Sequence, residues 1–135
     1  MTLVDTNVLL DLLTDDPVWA QWSLEALDSA SLDGVVFIND VIYAELAGRF
    51  DSIDPLNDFV SGVGLEIAPM LPQALFLAAK AFGRYRKSGG TRTGVLPDFF
   101  IGAQAAASGY ALITRDVARY QTYFPNIRLI SPKLN

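Results

Sequence analysis

Five apolar runs, each only three or four residues long, limit the architectures open to this chain. They are Thr2–Val4, Val35–Ile38, Leu65–Ile67, Ala111–Ile113 and Arg128–Ile130. Runs this short and this apolar suit strands buried on both faces. Longer segments with helical patterning separate them: Pro17–Ser29, Asp40–Phe50, Pro55–Ser61, Pro72–Lys87, Pro97–Ser108 and Val117–Phe124. Leu75, Ala79 and Phe82 form an apolar stripe at helical spacing, and Pro97–Ser108 is apolar almost all round, as a central buried helix is. Strands alternating with helices predict an α/β fold, a parallel sheet flanked by helices. The 135 residues fit one domain, spanning 1–135, with no repeat and no linker. Ser88–Gly94 is the one strongly flexible loop.

In a parallel sheet all strand C-termini lie on one edge, and ligands bind there, near the point where strand order reverses. Asp5 stands directly after the first run, and Asp116 just past the fourth, in Thr114-Arg115-Asp116. Their carboxylates share an edge and meet if the two strands are neighbours. Glu45 lies beside the apolar stripe of the Asp40–Phe50 helix, and Asp98 opens the most apolar helix in the chain. Composition narrows what such a cluster can do. The chain has neither cysteine nor histidine. That excludes disulfides, thiolate or imidazole metal sites, a cysteine nucleophile and a serine–histidine–aspartate triad. Acid–base work falls to Asp, Glu, Lys, Tyr or a metal-bound water.

Each acid also has a plainer reading. Asp5, Asp98 and Asp116 all fall at helix starts, where a carboxylate caps backbone N–H groups or complements the helix dipole. Glu45 can pair with Arg49 one turn on. Jointly, four inward acids make a strongly negative pocket that a hard cation would fill. All-oxygen ligation selects Mg²⁺ or Mn²⁺.

Four blocks resemble the PIN-domain nucleases, and more narrowly the VapC-type toxins of toxin–antitoxin pairs. They are Leu3-Val4-Asp5-Thr6-Asn7-Val8-Leu9-Leu10; Ile38-Asn39-Asp40-Val41-Ile42-Tyr43-Ala44-Glu45-Leu46; Pro97-Asp98-Phe99-Phe100-Ile101-Gly102-Ala103-Gln104-Ala105; and Leu112-Ile113-Thr114-Arg115-Asp116, followed by Tyr120, Phe124 and Pro125. The blocks occur in family order, span nearly the whole chain and each keep their acid. The resemblance implies a five-stranded parallel sheet and a metal-dependent endoribonuclease. On that pattern Asp5, Asp98 and Asp116 ligate Mg²⁺ or Mn²⁺, and Glu45 completes the catalytic set directly or through water. Asn7 and Thr114 orient waters or carboxylates around it. The resemblance further implies a homodimer and an antitoxin partner that covers the acidic groove. Trp19 and Trp22 are either an exposed aromatic patch for such a partner or core residues.

The chain is acidic overall, with net charge −5. Its cations are unevenly spread: Lys80, Arg84, Arg86, Lys87 and Arg92 are five of its ten basic residues, with no acid between Lys80 and Arg92. Arg86, Lys87 and Arg92 are the candidate RNA-binding residues, leading toward Asp98. The plainer reading is a helix C-terminus whose cations suit the dipole; it suits Lys80 best.

Two rivals remain. A haloacid-dehalogenase-type phosphatase also opens with an Asp after its first strand, but it needs a second acid two residues on, where this chain has Asn7, and the only Lys after Lys87 is Lys133. A catalytically silent PIN-like module that binds RNA or protein is the other. Dinucleotide binding fails, because Gly62-Val63-Gly64 precedes a strand and no glycine-rich turn follows the first one. No apolar run approaches the roughly 18 residues of a membrane span, and Asp5 interrupts the start where a signal peptide would be apolar. The expected location is the cytoplasm.

Overall fold

The computed structural model describes residues 1–94 and 96–133. Its core is a five-stranded parallel sheet in the order β3-β2-β1-β4-β5. The strands are β1 (Thr2–Val4), β2 (Val36–Ile38), β3 (Leu65–Ile67), β4 (Ala111–Ile113) and β5 (Leu129–Ile130). The helices between them are α1 (Thr6–Leu13), α2 (Ala20–Asp33), α3 (Asp40–Ala47), α4 (Ile53–Val63), α5 (Pro72–Lys87), α6 (Pro97–Ser108) and α7 (Val117–Tyr123). The chain works outward from β1 to β2 and β3, then returns past them to β4. Strand order therefore reverses between β1 and β4, the usual place for a ligand crevice in an open α/β sheet.

Burial on both faces holds for the middle of the sheet and fails at its edge. Leu3, Val4, Ile38, Leu112 and Ile113 are fully buried. Each such side chain contributes about 1.5–3 kcal/mol. In β3 only Leu65 is buried, while Glu66 and Ile67 are exposed, because an edge strand has a neighbour on one side only.

Helix bounds depart from the sequence expectation in identifiable ways. The sequence gives Asp5 a helix start but no helix range after it; α1 follows, because Asp5 Oδ1 accepts from the Thr6 N–H while Val8 and Leu9 enter the core. The Pro17–Ser29 helix begins later, at Ala20. The Asp16 carboxylate accepts from the Val18 and Trp19 N–H groups and holds Pro17–Trp19 in a turn. The two backbone bonds keep its pKa below the ordinary value. The start of α3 is capped by Asn39, whose Oδ1 accepts from the Ile42 N–H; Asp40 lies inside the first turn.

Helix α6 is central as expected, with Phe99 and Ile101–Ala105 buried. Phe99 packs against Phe82, Tyr85, Tyr123 and Phe124 at centroid distances of 6.0, 5.6, 5.1 and 6.4 Å. The hub sits one residue past Asp98 and anchors the end of α6 that carries it. Gly102 lets the Phe124 ring lie on the helix: a Cβ there would stand 2.5 Å from two ring carbons. Gly83, in α5, has nothing within 4 Å of a Cβ.

These two glycines predict opposite signs. Gly102→Ala should lower stability by about 1–3 kcal/mol through overpacking, whereas Gly83→Ala should raise it by roughly 0.5–1 kcal/mol through the lower entropy of its unfolded chain. Thermal unfolding of both variants beside the native chain checks this; shifts of the same sign would refute the packing account of Gly102.

Candidate active site

Strands β1 and β4 pair in register, Leu3 with Leu112 and Val4 with Ile113. The next residues along that edge are Asp5 and Thr114. The Asp5 N–H donates to the Ile113 carbonyl at 2.9 Å, and Thr114 Oγ1 donates to Asp5 Oδ2 at 2.8 Å. Tyr120 of α7 donates its hydroxyl to the same oxygen at 3.0 Å, and Asn7 Nδ2 does so at 3.3 Å. Asp5 is 4% exposed. Burial raises its pKa, the Thr114 bond lowers it, the field of Asp98 raises it, and the bonds from Tyr120 and the Thr6 N–H lower it. The outcome is a value pushed up from 3.8 to about 6. The Tyr120 phenol is pushed far above its ordinary range by its own burial and by Asp5, so it stays a donor.

Glu45 and Asp116 each reach this centre through one residue, whereas Asp98 is joined to it by no hydrogen bond among the described residues and acts on Asp5 through its field. Thr6 Oγ1 donates to Glu45 Oε1 at 2.7 Å, which joins α3 to the start of α1. Glu45 itself is exposed, not tucked beside the apolar stripe as its spacing suggests: Ile42 and Leu46 are buried, Tyr43 and Ala47 pack beside them, and the Glu45 carboxylate is held by Thr6. It makes no ion pair with Arg49 among the described residues. The Asp116 N–H donates to Thr114 Oγ1 at 3.0 Å, so Thr114 links Asp116 to Asp5. Asp98, in the first turn of α6, meets Arg119 of α7, with Nη1 to Oδ2 at 2.6 Å.

Capping explains less of this than the sequence allows. Asp5 does cap α1, with one of its two oxygens. Asp116 occupies the cap position of α7 without making a cap hydrogen bond, and Asp98 lies one residue inside α6, whose cap position is Leu96.

The cluster is also not free of cations, as the absence of histidine and of a neighbouring lysine suggests. Arg119 lies on Asp98, and its pKa rises above the ordinary value: burial opposes the charge, but Asp98 and Asp116 outweigh it. Arg115 is engaged elsewhere. Its Nε and Nη2 each donate at 2.8 Å to Asp11, which is 3% exposed and also accepts from Ser23 Oγ. The Trp19 ring stacks on its guanidinium at 5.0 Å, and the Asn7 side-chain carbonyl accepts from its N–H. This clamp ties the Thr114–Asp116 turn to α1 and α2. It also makes Trp19 half-buried, a packing partner of Arg115, while Trp22 packs against the core from the side. Arg119 and Asp11 carry no motif signal in the sequence, and Arg115, though it stands in the fourth block, has no role assigned there. Arg119 could have been found from its place one turn after Asp116; Tyr120, which follows the fourth block, is the residue that α7 buries.

Arg86 donates to the Arg92 carbonyl and folds the glycine-rich loop back on α5, and Arg84 donates to the Tyr123 carbonyl. Lys80 lies over the Phe76 ring at 5.0 Å. Arg86, Lys87 and Arg92 are exposed, and none pairs with an acid of the cluster among the described residues.

Asp5, Glu45, Asp98 and Asp116 supply oxygen donors only, which suits a hard divalent cation such as Mg²⁺ or Mn²⁺. Among the described residues, no three acids already stand close enough to grip an ion together. Asp5 Oδ2 is occupied by three donors, and Asp98 Oδ2 is occupied by Arg119. Oδ1 of Asp98 and the Asp116 carboxylate accept no hydrogen bond among the described residues and remain open to a cation.

Comparison with known proteins agrees with this architecture. The profile of the PIN domain matches residues 2–124. No curated protein matches the chain. Among solved structures, VapBC2 from Rickettsia felis, bound to a DNA fragment from its promoter, superposes with a TM-score of 0.74 at 16% identity, covering 96% of this chain and 97% of that one. VapBC-1 from nontypeable Haemophilus influenzae gives 0.72 at 17%, covering 96% of both chains. A toxin–antitoxin complex from Klebsiella pneumoniae gives 0.65 at 17%, covering 100% of both. At these identities the likeness is one of fold.

The raised pKa of Asp5 has a defined sign. A carboxyl whose folded pKa exceeds its unfolded one stabilises the fold below the unfolded value near 3.8, and that contribution is lost as pH rises through about 6. In chelator, the native chain should therefore lose up to about 3 kcal/mol relative to Asp5→Asn between about pH 4 and about pH 7. Urea unfolding at both pH values measures it; a difference independent of pH would remove Asp5 from this role.

Proposed function

The chain belongs to the PIN-domain family, and from that premise we propose that it is a Mg²⁺- or Mn²⁺-dependent endoribonuclease, the toxin of a toxin–antitoxin pair. The observation that carries the proposal is the hydrogen-bonded linkage of Asp5 to Glu45 through Thr6 and to Asp116 through Thr114 at the switch point between β1 and β4, with Asp5 in the field of Asp98.

In this reading Asp5, Asp98 and Asp116 hold the cation, and Glu45, exposed beside them, completes the catalytic set as acceptor for the attacking water. The cation, when bound, lowers the pKa of a water and offsets charge on the phosphate. The chain's own residues do the positioning. Thr114, Tyr120 and Asn7 hold Oδ2 of Asp5, and the Thr6 N–H holds Oδ1, which keeps a lone pair for the cation. Thr6 orients Glu45, and the aromatic hub at Phe99 fixes the start of α6 and so Asp98. Arg86, Lys87 and Arg92 bind RNA phosphates along the exposed end of α5 and its loop.

The antitoxin partner is supported by the end-to-end likeness to the Klebsiella toxin–antitoxin complex. A homodimer belongs to the same reading, and exposed Leu71, Leu75 and Phe76 offer apolar surface for it. Among the described residues no helix is long and apolar enough to cross a membrane; an RNA-cleaving enzyme would work in the cytoplasm, where its substrate is.

Cleavage of total cellular RNA tests the proposal. With Mg²⁺ or Mn²⁺ the native chain should yield discrete fragments, and chelator should stop it. Asp98→Asn, prepared identically, should lose at least roughly 100-fold in rate, since even residues outside the metal's own ligands cost 10–100-fold when changed. Equal cutting by both proteins would mark a contaminant. No cutting and no Mn²⁺ binding by the native chain would return the domain to a silent RNA- or protein-binding role, and hydrolysis of a simple phosphomonoester would favour a phosphatase.

The basic segment yields a second expectation. Lys80 already has a partner in Phe76, whereas Arg92 keeps its guanidinium exposed. Arg92→Ala should weaken RNA binding more than Lys80→Ala in a titration at fixed salt. Equal affinities would dissolve that ranking.

A further inference from the structure

One cation in the site is used by nothing described so far. Arg119 contacts Asp98 through a single nitrogen, and its side chain is 47% exposed against 24% for Asp98. Its remaining N–H groups have no acceptor among the described residues. The contact is one-pronged, unlike the two-pronged grip of Arg115 on buried Asp11. A guanidinium carries five donors in a planar fork that matches phosphate oxygens. Arg119 also lies within the fields of both Asp98 and Asp116, where it cancels part of the repulsion an RNA chain would meet.

We propose that Arg119 is a phosphate-binding residue of this site with two alternative partners: Asp98 when no divalent cation is present, and an RNA phosphate when one is. The proposal rests on the nuclease reading above. Its physical basis is competition. A cation that takes Asp98 meets a guanidinium already on that carboxylate, and the two positive charges repel at short range. The exposed stem of Arg119 lets the head swing off Asp98 with little loss of packing. The displaced fork then stands at the rim of the acid cluster, where a phosphate has to approach.

The prediction has two parts of opposite sign, which a purely structural role cannot produce. Arg119→Gln removes the charge and keeps an amide donor for Asp98. It should bind Mn²⁺ about tenfold more tightly than the native chain, read from loss of the free Mn²⁺ signal in electron paramagnetic resonance. The same variant should bind a fluorescein-labelled single-stranded RNA of mixed sequence more weakly in Ca²⁺. Its logarithmic salt dependence should also be shallower by about 0.7, the loss of one phosphate contact. Arg119→Lys, which keeps the charge, should keep native Mn²⁺ affinity. Thermal unfolding confirms that both variants fold.

Weaker Mn²⁺ binding by Arg119→Gln would overturn the proposal and make Arg119 a positioning residue for Asp98. Unchanged Mn²⁺ affinity or an unchanged salt slope would overturn it too. If the native chain binds no Mn²⁺, the nuclease reading fails first and takes the proposal with it. A native chain that binds Mn²⁺ beside an indistinguishable Arg119→Gln would sink the proposal alone.

Discussion

Asp5 is a carboxylate placed where water hardly reaches, at the end of a central strand. Burying such a group without partners costs several kcal/mol, so the fold around it is organised to supply them. Its donors come from widely separated parts of the chain: Thr6 and Asn7 at the start of α1, Thr114 after β4, and Tyr120 inside α7. They meet because β1 and β4 are neighbours in register. A shift of one residue in that pairing would carry Thr114 away from Asp5 and turn alternate side chains to the wrong face of the sheet. The site and the centre of the fold thus depend on the same strand pairing.

Even with four donors the carboxyl remains hard to ionise, because desolvation and Asp98 outweigh the hydrogen bonds. This stored disadvantage is what a divalent cation would relieve, and it is the electrostatic reason for reading the cluster as a metal site and not as a set of caps. A carboxyl displaced from its ordinary pKa by burial and by a neighbouring acid is characteristic of functional sites. The cations nearby divide the work. Arg115 is locked between Asp11 and Trp19 and braces the turn that carries Thr114 and Asp116. Arg119 stays at the surface on a single contact.

Much of the architecture was legible in the sequence for local reasons. Apolar runs of strand length mark all five strands to within a residue, since strand burial leaves its signature in neighbouring residues. The apolar character of Pro97–Ser108 likewise marks α6 as central, and its burial bears this out. Three features were not legible. The start of α1 hides in β-branched and polar residues, and only the cap by Asp5 together with the burial of Val8 and Leu9 makes it a helix. Glu45 looks inward by spacing but is exposed: its carboxylate is held by Thr6 at the start of α1 and is not covered by the core. The cap of α3 is Asn39 and not Asp40, a difference of one residue that depends on where β2 ends.

By itself the sequence determined the alternation of strands and helices, the placing of acids near the ends of the first and fourth strands, and an ionisable chemistry restricted to oxygen and cationic nitrogen. These are properties of composition and short-range periodicity, which act over a few residues. Tertiary structure alone decided that β1 lies beside β4, that Thr114 bridges Asp5 and Asp116, that Tyr120 reaches Asp5, and that arginines divide between Asp11 and Asp98. Each of those contacts joins residues that no local pattern relates. Which donor meets a buried carboxylate is settled only when the whole chain has packed and every competing partner has been placed.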